Sequence, residues 1–252
     1  MVLAWLAFYD GLLAVALVAA GIVAAHFGLT PPFKGFQIFL IGFFFAGIAI
    51  VLGLLGMLLT RGEDRRSGQI RARIGTILGL LIAAPIIGVV LRHRAVPIND
   101  ITTDTQNPPQ FVAALKQRSE CGEGLAYDPK IAPIQAQNYP ALQPLTLDGT
   151  PDNIYKRVEI LAGEIPNWTI TRNDPAAHEL EGVATSALFK FHDDFVIQVR
   201  PDGTNRSVVQ MRSKSRCGVS DLGANYDRIT SFFRILKTGP RMMPPGAAQV
   251  QP

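Results

Sequence analysis

The sequence predicts a three-helix transmembrane region followed by an α+β domain, an antiparallel sheet of about four to five strands packed against two to three helices. Three observations predict it. Long uncharged apolar runs crowd the first 94 residues. Apolar residues recur with helical period at Ile154, Val158, Leu161 and Ile165, and again from Leu222 to Leu236. Between those stretches, apolar and polar residues alternate with the period of a strand.

The apolar runs cover Gly11–Leu29 (reaching back to Val2 apart from Asp10), Gly35–Thr60 and Ile74–Leu91. A helix rises about 1.5 Å per residue, so roughly 20 residues cross a hydrocarbon core of about 30 Å. Spans are expected near 3–28, 36–59 and 74–91 within a membrane region of residues 1–94. The third is the shortest run and contains Pro85. The first lacks a basic start and is followed at once by the second, so it reads as a span and not a cleaved signal.

Charge is divided unevenly. Residues 1–94 hold eight Lys or Arg and three acids, leaving sixteen of the 24 basic and seventeen of the 20 acidic residues for the remainder. The basic excess therefore belongs to loops between spans and argues against nucleic acid as a partner. Arg61, Arg65, Arg66, Arg71 and Arg73 lie between the second and third runs, whereas the loop before the second holds only Lys34. Cytoplasmic loops carry the excess of Lys and Arg. The expected orientation puts the N-terminus in the cytoplasm and the C-terminal domain outside it, which in a bacterium means the periplasmic face of the inner membrane. Arg92 and Arg94 weigh against this, two charges against five.

Small residues four apart, Gly42 with Ala46 and Gly75 with Gly79, suit close helix packing, either among these three helices or with another copy. Asp10 is an ionisable group in the first run. Beside Trp5 and Tyr9 it is expected at the headgroup level.

The domain spans residues 95–238. Ile98 and Ile101 suggest a short strand, Phe111–Arg118 a short helix, and the Pro- and Gly-rich stretch 119–149 a long loop. Thr150-Pro151 opens a helix as N-cap and first helical residue. Strands follow at Trp168–Thr171, in the mixed segment Glu179–Phe191, at Phe195–Arg200 and at Arg206–Ser215, with a turn at Asp202-Gly203. The last strand puts Val209 and Met211 on one face and Gln210, Arg212 and Lys214 on the other, the pattern of a sheet wet on one side. The final helix starts near Ser220-Asp221, and residues 239–252 have the composition of a disordered tail.

Chemistry-bearing residues are sparse. No His has a partner at metal-ligand spacing, and His192-Asp193-Asp194 reads as a solvated turn. No metal, cofactor or catalytic residue is expected. Cys121 and Cys217 are the only cysteines, and a bond between them is plausible if the domain is exported. Two polar clusters stand out. One holds Asp100, Thr102, Thr103 and Asp104. The other holds Arg212, Ser213, Ser215, Arg216, Asp221 and Asn225, with Arg228 a turn further on. Arginines beside a helix N-terminus suit an anion such as a lipid headgroup. In the structural alternative, Asp100 and Asp104 pair with those arginines and Ser220 or Asp221 caps the helix. As an enzyme, the chain would use Asp100, Asp104 and Asp221 as acids and bases in a hydrolase or lipid-modifying reaction. As a complex subunit, it would dock through its helices.

Both clusters carry a resemblance. N-D-I-T-T-D-x-x-N-P-P from Asn99 to Pro109, F-K-F-H-D-D-F-V-I-Q-V-R-P-D-G from Phe189, and S-K-S-R-C-G-V-S-D-L-G-A-N-Y-D-R-I ending at Ile229 resemble the family called domain of unknown function 1499 over roughly residues 96–237. The resemblance implies a membrane-linked or exported bacterial domain with plastid relatives. It implies no established reaction, and it makes a disulfide at Cys217 a local feature. The reading is thus a membrane-anchored extracytoplasmic binding or accessory domain whose partner is lipid or a membrane protein.

Overall fold

The computed structural model describes residues 2–60, 66–93, 96–116, 121–122 and 124–238. The expected tail at 239–252 and part of the arginine-rich loop lie outside the described residues. The chain divides into two compact units, one formed by the three long helices with Leu188–Lys190 and one by the rest of the chain.

In the helical unit, α1 (Val2–His26), α2 (Pro32–Leu59) and α3 (Arg66–His93) are each long and apolar enough to cross a membrane. Gly28, at φ 68°, ends α1 in the left-handed region, where it lets Leu29 N–H reach back to Ala24 O at 2.8 Å. Pro32 opens α2 at a position whose N–H has no helical partner anyway. α3 begins at Arg66, eight residues before its apolar run, and continues through Pro85. Arg71 thus lies in its second turn, with its guanidinium 3.8 Å above the Trp5 ring of α1.

The three helices pack on one another through small residues. Ala4, Ala7, Gly11, Ala14, Gly21 and Ala25 form the buried stripe of α1. Gly42, Ala46, Gly53 and Gly56 are among those of α2. A Cβ on Gly79 would lie 2.5 Å from Ala46 O, and one on Gly42 2.8 Å from Val18 N. The four-residue pairs therefore serve contacts within the chain. Lipid offers no hydrophobic drive for association, so close approach and dispersion hold such helices together. Asp10 lies eight residues into α1, about 12 Å along its axis.

The α+β unit is a six-stranded antiparallel sheet in the order β1-β6-β5-β4-β3, with β2 also on β6. The strands are β1 (Asp100–Thr102), β2 (Leu145–Asp148), β3 (Trp168–Asp174), β4 (Glu179–Thr185), β5 (His192–Pro201) and β6 (Arg206–Ser215). The helices are α4 (Ile131–Asn138), α5 (Pro151–Glu164) and α6 (Ala224–Thr238). Register follows the pleat: Leu180 faces Ile197, which faces Met211, and Gly182 faces Phe195, which faces Ser213. Gly182 is required there because the Phe195 ring occupies the space a Cβ would fill. Leu180, Phe195, Ile197 and Met211 join Ile154 and Val158 of α5 and Ile229, Phe232 and Leu236 of α6 in one core.

Three expectations change. The stretch 119–149 is not one loop: it contains α4 and β2. α4 has no apolar stripe and Pro133 in its first turn, and β2 is four residues long, so neither leaves a periodic signal. The helix expected at 111–118 is a single 3-10 turn, Ala114–Lys116. Residues 117–118 lie outside the described residues. The second face of the sheet is not wet. Gln210, Arg212 and Lys214 are buried there, as are Glu181, Val196 and Asp194. Phe111 and Ala114 cover Val196, with Leu125 packed beside them. A chain lying across that face supplies what solvent would otherwise supply.

Tyr155 of α5, in the core, and Tyr127, in the covering chain, report burial on the two sides of the sheet. Both phenols are pushed up to about 12, first by burial and then by nearby carboxylates, Asp100 for Tyr127 and Glu159 for Tyr155. A raised pKa gives stability that is whole below pH 10, the ordinary tyrosine value, and is lost as pH climbs toward 12. An alkaline titration followed by tyrosinate absorbance should show a late phase, lost in part from Tyr127→Phe and from Tyr155→Phe, coincident with loss of far-ultraviolet circular dichroism. All five tyrosines titrating near pH 10 with the fold intact would contradict this packing.

Candidate functional site

The polar clusters are built on β1 and β6, neighbours in the sheet with Asp100 opposite Lys214 and Thr102 opposite Arg212. The two clusters do meet. Alternation along the strands then divides them between the two faces of the sheet.

On the covered face, Arg212 is the centre. Its side chain and that of Asp100 are both fully buried. Arg212 Nε donates to Asp100 Oδ1 at 2.9 Å and Nη2 to Oδ2 at 2.8 Å, a fork-to-fork pair. Nη2 also donates to Leu125 O at 2.8 Å and Nη1 to Pro109 O at 3.3 Å. The Phe111 and Tyr127 rings lie 4.8 and 5.4 Å from the guanidinium carbon. Lys214 Nζ adds a second cation 3.5 Å from Asp100 Oδ2. Next along this face, Arg216 grips Asp194, with Nη2 to Oδ1 at 2.8 Å and Nε to Oδ2 at 3.0 Å. Glu181 Oε2 accepts from the backbone N–H groups of Val112, Ala113 and Ala114 at 3.0, 2.9 and 3.3 Å. That carboxylate fills the anion nest at the start of the 3-10 turn. Arg212 and Glu181 thus fasten the covering chain to the sheet from opposite charges.

On the core face, Ser213, Ser215, Asn225 and Arg228 meet. Asn225 is fully buried. Its Nδ2 donates to Asn99 O at 3.1 Å and Ser215 Oγ at 3.0 Å, and its Oδ1 accepts from Ser213 Oγ at 2.7 Å. Arg228 donates to Ser213 Oγ at 2.8 Å and pairs with Asp193 Oδ2 at 2.5 Å. This network joins the N-terminus of α6 to β1, β5 and β6. Asp193 and Asp194 are therefore buried strand residues in ion pairs, not the solvated turn expected of them. Their alternation was readable, but without knowing that both faces are covered, two adjacent acids look wet.

The remaining cluster residues make turns and caps. Thr102 N–H donates to Gln135 Oε1 at 3.0 Å and Thr102 O accepts from Gln135 Nε2 at 2.7 Å, so one α4 amide satisfies the edge of β1. Thr103 exchanges bonds with the Met211 backbone, Thr103 N to Met211 O at 2.9 Å and Met211 N to Thr103 Oγ1 at 3.0 Å. Asp104 Oδ1 accepts from Gln106 N at 3.0 Å and Asn107 N at 2.9 Å, and its Oδ2 from Gln210 Nε2 at 2.8 Å. Among the described residues Asp104 thus pairs with no arginine, contrary to one expectation. Asp221 accepts from Gly223 N at 2.8 Å and Asn225 N at 2.9 Å, capping α6. Thr150, expected to cap α5, makes no side-chain bond there.

Cys121 and Cys217 are joined as a disulfide, their Cα atoms 5.3 Å apart. Among the described residues no group of three His, Cys, Asp or Glu could hold a metal. His178 Nε2 lies 2.8 Å from Asp152 Oδ1, linking the β3–β4 turn to α5.

Asp221 gives a test of the cap. Burial raises its pKa above the ordinary 3.8, outweighing the backbone N–H bonds that lower it. A raised carboxyl contributes stability below pH 3.8 that is lost as pH rises through the folded value. Asn carries no charge but offers one acceptor oxygen where Asp221 uses two, so Asp221→Asn should melt below the parent in acid by a margin that narrows at neutral pH. Asp221→Ala should cost about 1 kcal/mol. Melting curves at both pH values decide it, and a deficit of the Asn variant that widens from acid to neutral pH contradicts the sign.

These features define a class: a membrane protein whose three apolar helices precede an antiparallel α+β domain tied by internal ion pairs. A family model described as "Protein of unknown function (DUF1499)" matches residues 100–236. The chain belongs to that family. No curated protein matches it.

Proposed function

We propose that this is a membrane-anchored extracytoplasmic accessory domain, on the periplasmic face of a bacterial inner membrane, whose polar seam is structural. One observation carries the reading. Asp100, Asp193 and Asp194 are each held by an arginine, and Asp104 and Asp221 by turn and cap bonds. A general acid or base needs a carboxylate free to exchange a proton with substrate. An anion site needs arginine donors that are not already committed. The disulfide suits an oxidising compartment, and the arginine-rich loop suits a cytoplasmic position on the other side of the second and third spans.

Titrating the detergent-solubilised full chain with inorganic phosphate and short-chain phosphatidylglycerol tests the seam. No saturable change in melting temperature is expected. A saturable rise abolished by Arg216→Ala would overturn the structural reading and restore the anion site. Orientation is tested separately by a C-terminal fusion to a reporter that folds only in the cytoplasm. Fluorescence from it would reverse the topology.

A further inference from the structure

The most exposed large apolar side chain among the described residues is Val219, at 79%. It lies in the β6–α6 connection, Gly218–Gly223, with Leu222 a few residues on, 36% exposed. Exposed apolar residues on loops are ordinary when the loop is loose. This one is tied at both ends. Cys217 is bonded to Cys121, and Asn99 Nδ2 donates to Gly218 O. At the other end Asp221 holds Gly223 N and Asn225 N, and Ser220 Oγ accepts from Leu222 N at 3.4 Å. Leu222 also has φ 53°, a left-handed conformation that favours Gly or Asn over a branched apolar residue. The loop therefore keeps a leucine in a costly conformation and a valine in water, both fixed.

Their place in the sheet and in the chain bears on what they meet. Gly218 is bonded to Asn99, and Asn99 O accepts from Ser215 N at 2.8 Å, so the loop flanks the start of β1. Asn99 follows the last residue of α3, His93, by only six positions. Six residues reach about 20 Å at full extension. Asn99 is thus joined by a short length of chain to a helix long and apolar enough to cross a membrane, on whichever side that helix ends.

We propose that the Gly218–Gly223 loop is a lipid-contacting element, with Val219 and Leu222 seated in the headgroup and upper acyl layer of the bilayer that holds the three helices. Apolar anchors of this kind reach roughly 5–10 Å into the interface. A loop already fixed by a disulfide and a cap loses little freedom on insertion, so even two small anchors contribute. The proposed partner is the bilayer, and not a soluble protein, because so short a connection to α3 lets the loop reach a bilayer without any separate association. The proposal depends on the helices being in lipid and is independent of the seam and of orientation.

The test uses the full chain reconstituted in phosphatidylcholine vesicles with and without brominated acyl chains. Tryptophan is placed by Val219→Trp and, as the reference, by Ile160→Trp on α5, which is 63% exposed. Both are made in a Trp5→Phe background. Bromolipid should quench the new fluorescence of the first at least roughly twofold more than that of the second, with a shift to shorter wavelength. Equal quenching at the two positions overturns the proposal. Flotation is checked first: a chain that does not float with the vesicles refutes anchoring and this proposal together. A chain that floats and shows equal quenching refutes only the loop.

Discussion

Arg212→Ala should cost about 4 kcal/mol, enough to unfold much of a domain of ordinary stability. The loss comes mainly from what remains. Asp100 stays fully buried, with Lys214 at 3.5 Å as its remaining cation among the described residues, and the carbonyls of Leu125 and Pro109 lose their donor. A buried charge stripped of its partner costs several times a lost surface pair. Arg212→Lys should recover little, since an ammonium cannot span both Asp100 oxygens and two carbonyls at once. Two companions make the cause visible. Arg206→Ala removes the exposed pair with Asp202 and should cost no more than about 0.5 kcal/mol. The double change Asp100→Leu with Arg212→Met should be much less damaging than Arg212→Ala alone, because no charge is left behind. Denaturant melts of the detergent-solubilised chain, followed by emission of Trp168 against Phe195 and Phe232, supply the readout. If Arg212→Ala costs no more than Arg206→Ala, the seam does not hold the domain together.

That buried pair also marks where reading the sequence stopped. The alternation that put Met211 and Val209 toward the core was legible, as were the apolar face of α6 and the three spans. The pairing of Asp100 with Arg212 was foreseen as one alternative, yet the face they occupy was expected to be wet. Periodicity reports which side of a strand is polar; it does not report whether another segment lies over that side. The covering chain around Phe111 and Leu125 has no repeat of its own, because it is fixed by single contacts to Arg212 and Glu181 and not by a continuous apolar stripe. Nothing in the mixed segment Glu179–Phe191 singled out Glu181, for the same reason. Gln135 was invisible for a different one: its amide mimics a strand neighbour for Thr102, a role that any sequence with a glutamine could fill.

In the membrane region the most damaging substitutions should be at the glycines that face the backbone of a neighbouring helix. Gly53→Leu and Gly75→Leu should each cost roughly 3 kcal/mol or more, the scale of severe overpacking. A Cβ on Gly75 would meet the Ala7 carbonyl of α1, and one on Gly53 would meet Thr76 Oγ1 and, at 2.7 Å, Ala72 O of α3. Backbone cannot give way as a side-chain tip can, so the helices must separate. Separation forfeits the dispersion contacts that are nearly all the attraction available in lipid. Gly47 and Gly88 have nothing within 4 Å of a built Cβ, so Gly47→Leu and Gly88→Leu should be tolerated. Composition treats these four glycines alike; only the facing backbone distinguishes them. Thermal loss of helical circular dichroism in mild detergent, with fluorescence of Trp5 beneath Arg71 as a local reporter, gives the ranking. Equal melting temperatures for the Gly75 and Gly47 variants would mean that the helices do not pack through Gly75.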